Sequence, residues 1–302
     1  MRFGIILFVV LVCGLQKDIF AQGCSDAGIC TISSFKPNGL DVADSIHTSV
    51  RIGVTSGSAD HDISVLGTYL EYDRNISRRW GVNAKLTSLA QSGNGISVWG
   101  LSDIYLTGKY SVWDELYVIL GVKAPLNTGN RLRDHRPLPM DYQSSLGTVD
   151  GIAGVGYRLN HLQLMVGYQH PFIQNANTFD AERYPSEDIL STFQTTDNYK
   201  RSSDALLRVS YEIPVMNGLR ITPSVLAVYH LADDTYRTGS NQKTDITGSK
   251  GLTVNGNLYL DYAFLVCHAV QVSVGAPLVV RDVRPDGLTR GLVLGFEYRY
   301  TF

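Results

Sequence analysis

Beyond its N-terminus the 302-residue chain holds no long uninterrupted apolar run. A spanning helix needs about 20 consecutive apolar residues, so no transmembrane helix is expected in the body of the protein. An excess of one charge is also missing. With 26 Lys+Arg against 28 Asp+Glu the formal net charge is −2, and nucleic acid is not expected as a partner, because phosphate binding needs a basic surface. Cysteine is scarce, at four residues. Cys24 and Cys30 enclose a short loop, and no second Cys or His pair follows nearby, so zinc is not expected and a disulfide between the two is the candidate pairing. The histidines at 47, 61, 135, 161, 170, 230 and 268 show no His-X-X-X-His or similar spacing, and no metal or other cofactor is implied.

What is present begins with a secretory signature. Arg2 supplies a positive start, residues 5–12 form a short apolar stretch, and Ala21-Gln22 offers a cleavage site. Residues 1–22 are therefore expected to be a signal peptide. Cys24 admits a lipoprotein alternative, but the residues before it lack the usual upstream Leu. Residues 23–44 have no clear period and read as a periplasmic or plug segment. Residues 45–302 read as a barrel.

From about Ser45 onward a period of two dominates. At the C-terminus Leu292, Leu294, Phe296, Tyr298, Tyr300 and Phe302 share one face, with Glu297 and Arg299 on the other. Phe296, Tyr298, Tyr300 and Phe302 resemble the C-terminal assembly signal of bacterial outer-membrane proteins, which implies the barrel-assembly machinery as a partner. Strands are expected near 45–55, 62–73, 79–90, 100–111, 115–125, 147–159, 161–171, 200–213, 218–231, 249–262, 267–278 and 288–302, about the length a tilted spanning strand requires. Short connections are expected at 75–78, 112–114, 160, 214–217 and 263–266. A second set, mostly long, falls at 59, 91–99, 126–146, 172–199, 232–247 and 279–287. Short turns on one side and long loops on the other are the outer-membrane arrangement, and an even strand number leaves both termini in the periplasm. The expected fold is an all-β transmembrane antiparallel up-and-down barrel of about twelve strands, in the bacterial outer membrane, with a short N-terminal segment that either stays periplasmic or enters the lumen.

If the apolar register faces lipid, the other faces inward. It carries His47, Arg51, Glu71, Lys85, Asp103, Lys109, Lys123, Asp150, Arg158, Asp204, Arg208, Glu212, Asp261, Glu297 and Arg299. A barrel of this strand number is narrow, so these charges are expected to pair across the lumen, since unpaired buried charge is costly. They line either a salt-bridged interior or a selectivity path.

Residues 100–110 (Gly-Leu-Ser-Asp-Ile-Tyr-Leu-Thr-Gly-Lys-Tyr), 121–125 (Gly-Val-Lys-Ala-Pro), 138–150 (Leu-Pro-Met-Asp-Tyr-Gln-Ser-Ser-Leu-Gly-Thr-Val-Asp) and Gly167-Tyr168-Gln169 carry a resemblance. Together they are similar to the outer-membrane transporters grouped with the phenol-degradation (meta-pathway) barrel family, distant relatives of the fatty-acid and toluene transporters. The resemblance implies passive passage of small hydrophobic or aromatic compounds, with a small apolar solute as ligand. The fatty-acid transporters carry a longer chain and an Asn-Pro-Ala hatch motif. Here Lys36-Pro37-Asn38-Gly39 stands instead.

The alternatives are a structural or surface-interaction barrel with a plugged lumen and an outer-membrane phospholipase. For the second, His47-Thr48-Ser49 has the spacing, but the next strand, read as 62–73, offers no matching Asn, and a nucleophile needs a base held by a third group. An enzyme is not expected. Gly151-Ile152-Ala153-Gly154-Val155-Gly156 mimics a dinucleotide fingerprint, but no helical period follows, and close packing in a narrow barrel explains it better. Arg131, Arg133, Asp134, His135 and Arg136 form a loop tip that is either simply solvated or in contact with outer-membrane lipid and anionic lipopolysaccharide.

Overall fold

The computed structural model of the chain describes residues 28–37, 47–240, 242–286 and 291–302. The expected signal peptide at 1–22 and Cys24 lie outside them. Twelve strands form one antiparallel sheet: β1 (Thr48–Ser58), β2 (Ser64–Asn75), β3 (Trp80–Gly93), β4 (Ile96–Ser111), β5 (Leu116–Pro125), β6 (Val149–Leu159), β7 (Leu162–Ile173), β8 (Asp204–Tyr211, continued by Ile213–Met216), β9 (Leu219–His230), β10 (Gly251–Leu265), β11 (His268–Val279) and β12 (Val293–Thr301). Each pairs with the next, and β12 returns to β1 in a register from Ser49↔Thr301 to Gly57↔Val293. The backbones of Thr48 and Phe302 complete the seam with two hydrogen bonds, 2.9 and 2.8 Å. Closure pairs every edge, the condition for a sheet to cross a bilayer.

The alternation of the sequence becomes an alternation of surroundings. Ile52, Leu70, Leu120, Val166, Leu207, Leu260, Leu294 and Phe296 lie exposed on the outer wall, Ile52 by 58% and Leu294 by 54%. A soluble sandwich would bury these side chains in a shared core. A wall of this kind is stable against lipid, so the chain is a transmembrane β-barrel.

Three connections differ from expectation. The stretch 91–99 is not a long loop: β3 runs to Gly93, β4 starts at Ile96, and Asn94 and Gly95 turn the chain with φ of 53° and 71°. Two left-handed residues in Asn-Gly order make a type I′ hairpin turn, whose twist matches that of the strands. Residues 214–217 are largely strand, with the turn at Asn217-Gly218, where Gly218 has φ 80°. The register slips beside Pro214, which has no N–H to give the ladder. Similarly β10 continues to Leu265, and its turn is Val266-Cys267.

The long loops, 126–148, 174–203 and 231–250, fold inward over one mouth. Leu138, Tyr142, Phe179, Tyr184, Leu190 and Phe193 pack on inward-facing Ile63, Val65, Leu89, Ile96 and Val98 at the outer ends of β2–β4. Two small hairpins stiffen this cover, Leu132–Arg133 with Arg136–Pro137 and Asp234–Arg237 with Lys243–Ile246.

The plugged lumen as candidate functional site

Residues 28–37 occupy the lumen. They form two short 3-10 turns, Ile29–Thr31 and Ser33–Phe35. Ile29, Cys30, Ile32 and Phe35 are buried against inward-facing Tyr105, Tyr117, Ile119, Ile152, Met165, Leu206, Leu226 and Val228. The barrel makes room with glycine. A Cβ on Gly154 would stand 2.6 Å from the Phe35 ring, one on Gly167 3.0 Å from it, and one on Gly156 1.9 Å from the Tyr117 ring. This is the packing reason for Gly154 and Gly156 within the glycine run.

A turn inside a narrow barrel cannot turn to bulk water for its backbone hydrogen bonds, and unpaired buried groups are costly. Wall side chains take that part. Arg208 donates to the carbonyls of Phe35 (2.7 Å) and Cys30 (3.2 Å). Lys85 donates to the Thr31 carbonyl, and Glu71 accepts the Ser33 N–H at 2.9 Å. Gln169 accepts the Ile29 N–H at 3.3 Å. Lys36 reaches Glu297 at 3.5 Å and the Tyr69 hydroxyl at 3.4 Å. Cys30 is disulfide-bonded, and Cys267 is a free thiol.

Several of the inward charges are not in the cross-lumen pairs expected. They pair sideways along the wall: Arg51 with Glu297 (3.5 Å) and Asp73 (3.9 Å), Lys85 with Glu71 (4.0 Å), and Lys123 with Asp150 (2.9 Å). Arg51↔Glu71, Glu71↔Lys85 and Lys123↔Asp150 are direct cross-strand partners. Opposed residues on one sheet face lie about 5 Å apart, so opposite charges meet there without crossing a lumen that the plug fills. The structure buries Arg51, Glu71, Lys85, Asp103, Lys123, Asp150, Asp204, Arg208 and Asp261. Lys109, Arg158, Glu212, Glu297 and Arg299 are partly exposed. Glu212 meets Arg220 at 3.6 Å near the short-turn mouth, and Asp261 accepts from Gln271 at 2.8 Å. Asp103 accepts from Ser145 and Ser102, which ties β4 to the 126–148 loop.

Between the plug and the loop cover lies a cavity of about 160 Å³. Tyr69, Leu89, Tyr105, Leu146 and Tyr259 supply its larger lining side chains. It lies where the β1–β2 and β11 walls are thin, at Thr55, Gly67, Ser273 and Gly275. The charged residues beside it, Lys36, Lys85, Asp103 and Lys123, are each committed to protein partners.

Sequence reasoning missed the lock that fastens the loops. Both ring nitrogens of His230, at the outer end of β9, lie 2.7 Å from carboxylates, Nδ1 from Asp204 and Nε2 from Asp234. Two carboxylate partners require both nitrogens to donate, which is the imidazolium form. Arg201 pairs with Asp204 at 2.5 Å, and the Tyr199 hydroxyl donates to Asp234 at 2.7 Å. Burial would raise the Asp234 carboxyl, but the His230 bond and charge outweigh it and hold the group below its usual range. Burial, with Asp234 and Asp286 nearby, pushes the Tyr199 phenol well up. In the cover, desolvation pushes Asp141 up to about 7, and the charges of Asp60 and Asp286 add to it. The two-residue rules of strand and turn give no sign of this lock, because it forms only when two separate stretches of chain, 199–204 and 230–234, meet.

The phospholipase spacing looks different in three dimensions. β2 extends to Asn75, beyond the expected 73, and Asn75 lies 3.3 Å from Nδ1 of His47. The Ser49 hydroxyl is buried and has no hydrogen-bond partner, so it is not joined to His47. Among the described residues Ser49 thus has no base hydrogen-bonded to it.

Among solved structures the chain is similar to the translocator domain of the autotransporter NalP from Neisseria meningitidis (TM-score 0.50, 9% identity, covering 88% of this chain and 91% of that one). It is also similar to the KdgM porin (TM-score 0.45, 9% identity, 84% and 99% covered) and to the CymD monoaromatic hydrocarbon channel (TM-score 0.45, 12% identity, 94% and 94% covered). These likenesses concern the fold. No family model and no curated protein matches the sequence.

Proposed function

We propose that the chain is an outer-membrane barrel through which small hydrophobic or aromatic solutes pass when the 28–37 plug gives way. The observation that carries this reading is the cavity between plug and cover. Tyrosine, leucine, serine and threonine line it, and its charged neighbours are already paired, so it suits an uncharged small molecule. The resemblance at 100–150 to the phenol-degradation barrels points the same way. A second reading, a structural barrel with a permanently plugged lumen, is supported by the hydrogen bonds of Arg208, Lys85 and Glu71 to the plug backbone.

The test is uptake of a labelled neutral aromatic by a porin-depleted host expressing the full chain, or the same chain without residues 28–37. Faster uptake than in the host alone supports passage, with a further increase on removing the plug. Uptake equal to the host for both proteins favours the structural barrel.

A further inference from the structure

The 126–148 loop raises a basic hairpin beside the outer wall. Leu132–Arg133 and Arg136–Pro137 pair across a tip in which Asp134 and His135 take φ of 50° and 64°. Arg133 and Arg136 are direct cross-strand partners. Like charges placed opposite each other destabilise a hairpin. Asp134 offers only a 3.8 Å contact to Arg133, itself half exposed. Three arginines, Arg131, Arg133 and Arg136, thus stand exposed against one carboxylate.

The hairpin is held in place. The Tyr184 hydroxyl donates to the Pro137 carbonyl, the Arg136 guanidinium lies 5.8 Å from the Tyr184 ring centre, and Leu138 at the hairpin's base is buried. Its height is set by Arg131, which donates to the backbone carbonyl of Trp99 at 2.8 Å. Trp99 points outward from β4 and is 62% exposed, with Leu101 exposed on the same face. An outward Trp at the end of a spanning strand marks the headgroup level of the membrane, with the acyl region beneath it. The hairpin is therefore a fixed group of guanidiniums at headgroup height above an apolar wall.

We infer that this hairpin binds the phosphate groups of outer-leaflet lipopolysaccharide, with the acyl chains lying on the wall at Trp99 and Leu101. Guanidinium matches phosphate by paired N–H donors, and a bound phosphate removes the repulsion between Arg133 and Arg136. The inference stands apart from any solute the lumen passes.

The full chain in detergent is titrated with lipid A and with dephosphorylated lipid A, and binding is read by native mass spectrometry. Loss of one arginine near a charged lipid surface is expected to weaken binding roughly five-fold, and of three on the order of 100-fold. The R131Q/R133Q/R136Q protein should bind lipid A no better than the parent binds the dephosphorylated form. R133Q alone, which removes only the exposed Asp134 contact, should lose roughly five-fold with the fold intact. Unchanged lipid A binding by the triple variant, or equal binding of the dephosphorylated lipid by the parent, overturns the inference. Displacement of lipid A by equimolar inorganic phosphate would also overturn it, since the site would then be one for free anions.

Discussion

Replacing Arg208 with alanine should loosen the plug without opening the barrel. Arg208 is buried and makes two charge-assisted bonds to plug carbonyls, at 2.7 and 3.2 Å. Bonds to charged groups contribute about 1.5–3 kcal/mol each, so the pair is worth about 3–6 kcal/mol. The low end applies, because removing the guanidinium also removes the cost of burying it. A loss of about 3 kcal/mol raises the undocked population on the order of 100-fold. Ile29, Ile32 and Phe35 still favour docking by about 1.5–3 kcal/mol each, so the plug remains mostly seated. Hydrogen exchange of the amides of residues 29–36, followed by mass spectrometry in detergent, reads this population directly. Protection should fall about as far as the population rises, while strand amides keep theirs. Arg208→Lys, which keeps the charge but not the fork, should lie between. Plug exchange within a few-fold of the parent in Arg208→Ala would refute the idea that wall charges hold the plug by its backbone.

Three further outcomes follow from the same structure. Gly154→Leu should expel Phe35, because even its Cβ would lie 2.6 Å from that ring, and single-channel recordings should show openings that the parent lacks. Gly95→Ala tests a turn in isolation: a Cβ there meets nothing within 4 Å, so the left-handed φ of 71° alone should cost about 1–2 kcal/mol in chemical denaturation. Asp141 should titrate near its folded value of about 7 in a carboxyl-carbon NMR experiment. Its folded value is raised, so the cover should gain stability as pH falls from about 7 toward the ordinary Asp range of about 4. Cover amides whose protection, taken relative to the intrinsic exchange rate at each pH, falls on acidification through that window would contradict this.

Several features were legible in residue order because they depend on near neighbours. The period of two placed the strands within a few residues, since adjacent side chains on a strand must face opposite ways. The Asn94-Gly95 turn was also written there, and reading 91–99 as a loop overlooked it. The same alternation put Arg51, Glu71, Lys85, Lys123 and Asp150 on the polar register, and the structure buries these side chains. Their partners did not follow from it, because which charge meets which depends on strand register, and register depends on every turn between. The His230 lock and the docking of 28–37 were out of reach for a similar reason. Ile29 meets Gln169, and Arg208 meets Cys30 and Phe35, only after the sheet has closed.

By itself the sequence determined a membrane barrel. Strict alternation with no helical span leaves the backbone one way to satisfy its hydrogen bonds in lipid, which is strands closed on themselves. Only the tertiary structure decided that the lumen is filled. Glycines at 154 and 167 leave a hollow the width of a phenyl ring, and buried Arg208, Lys85 and Glu71 give a backbone turn the partners that water would otherwise supply. Those groups are scattered through the chain, and their convergence is a property of barrel closure rather than of any local stretch.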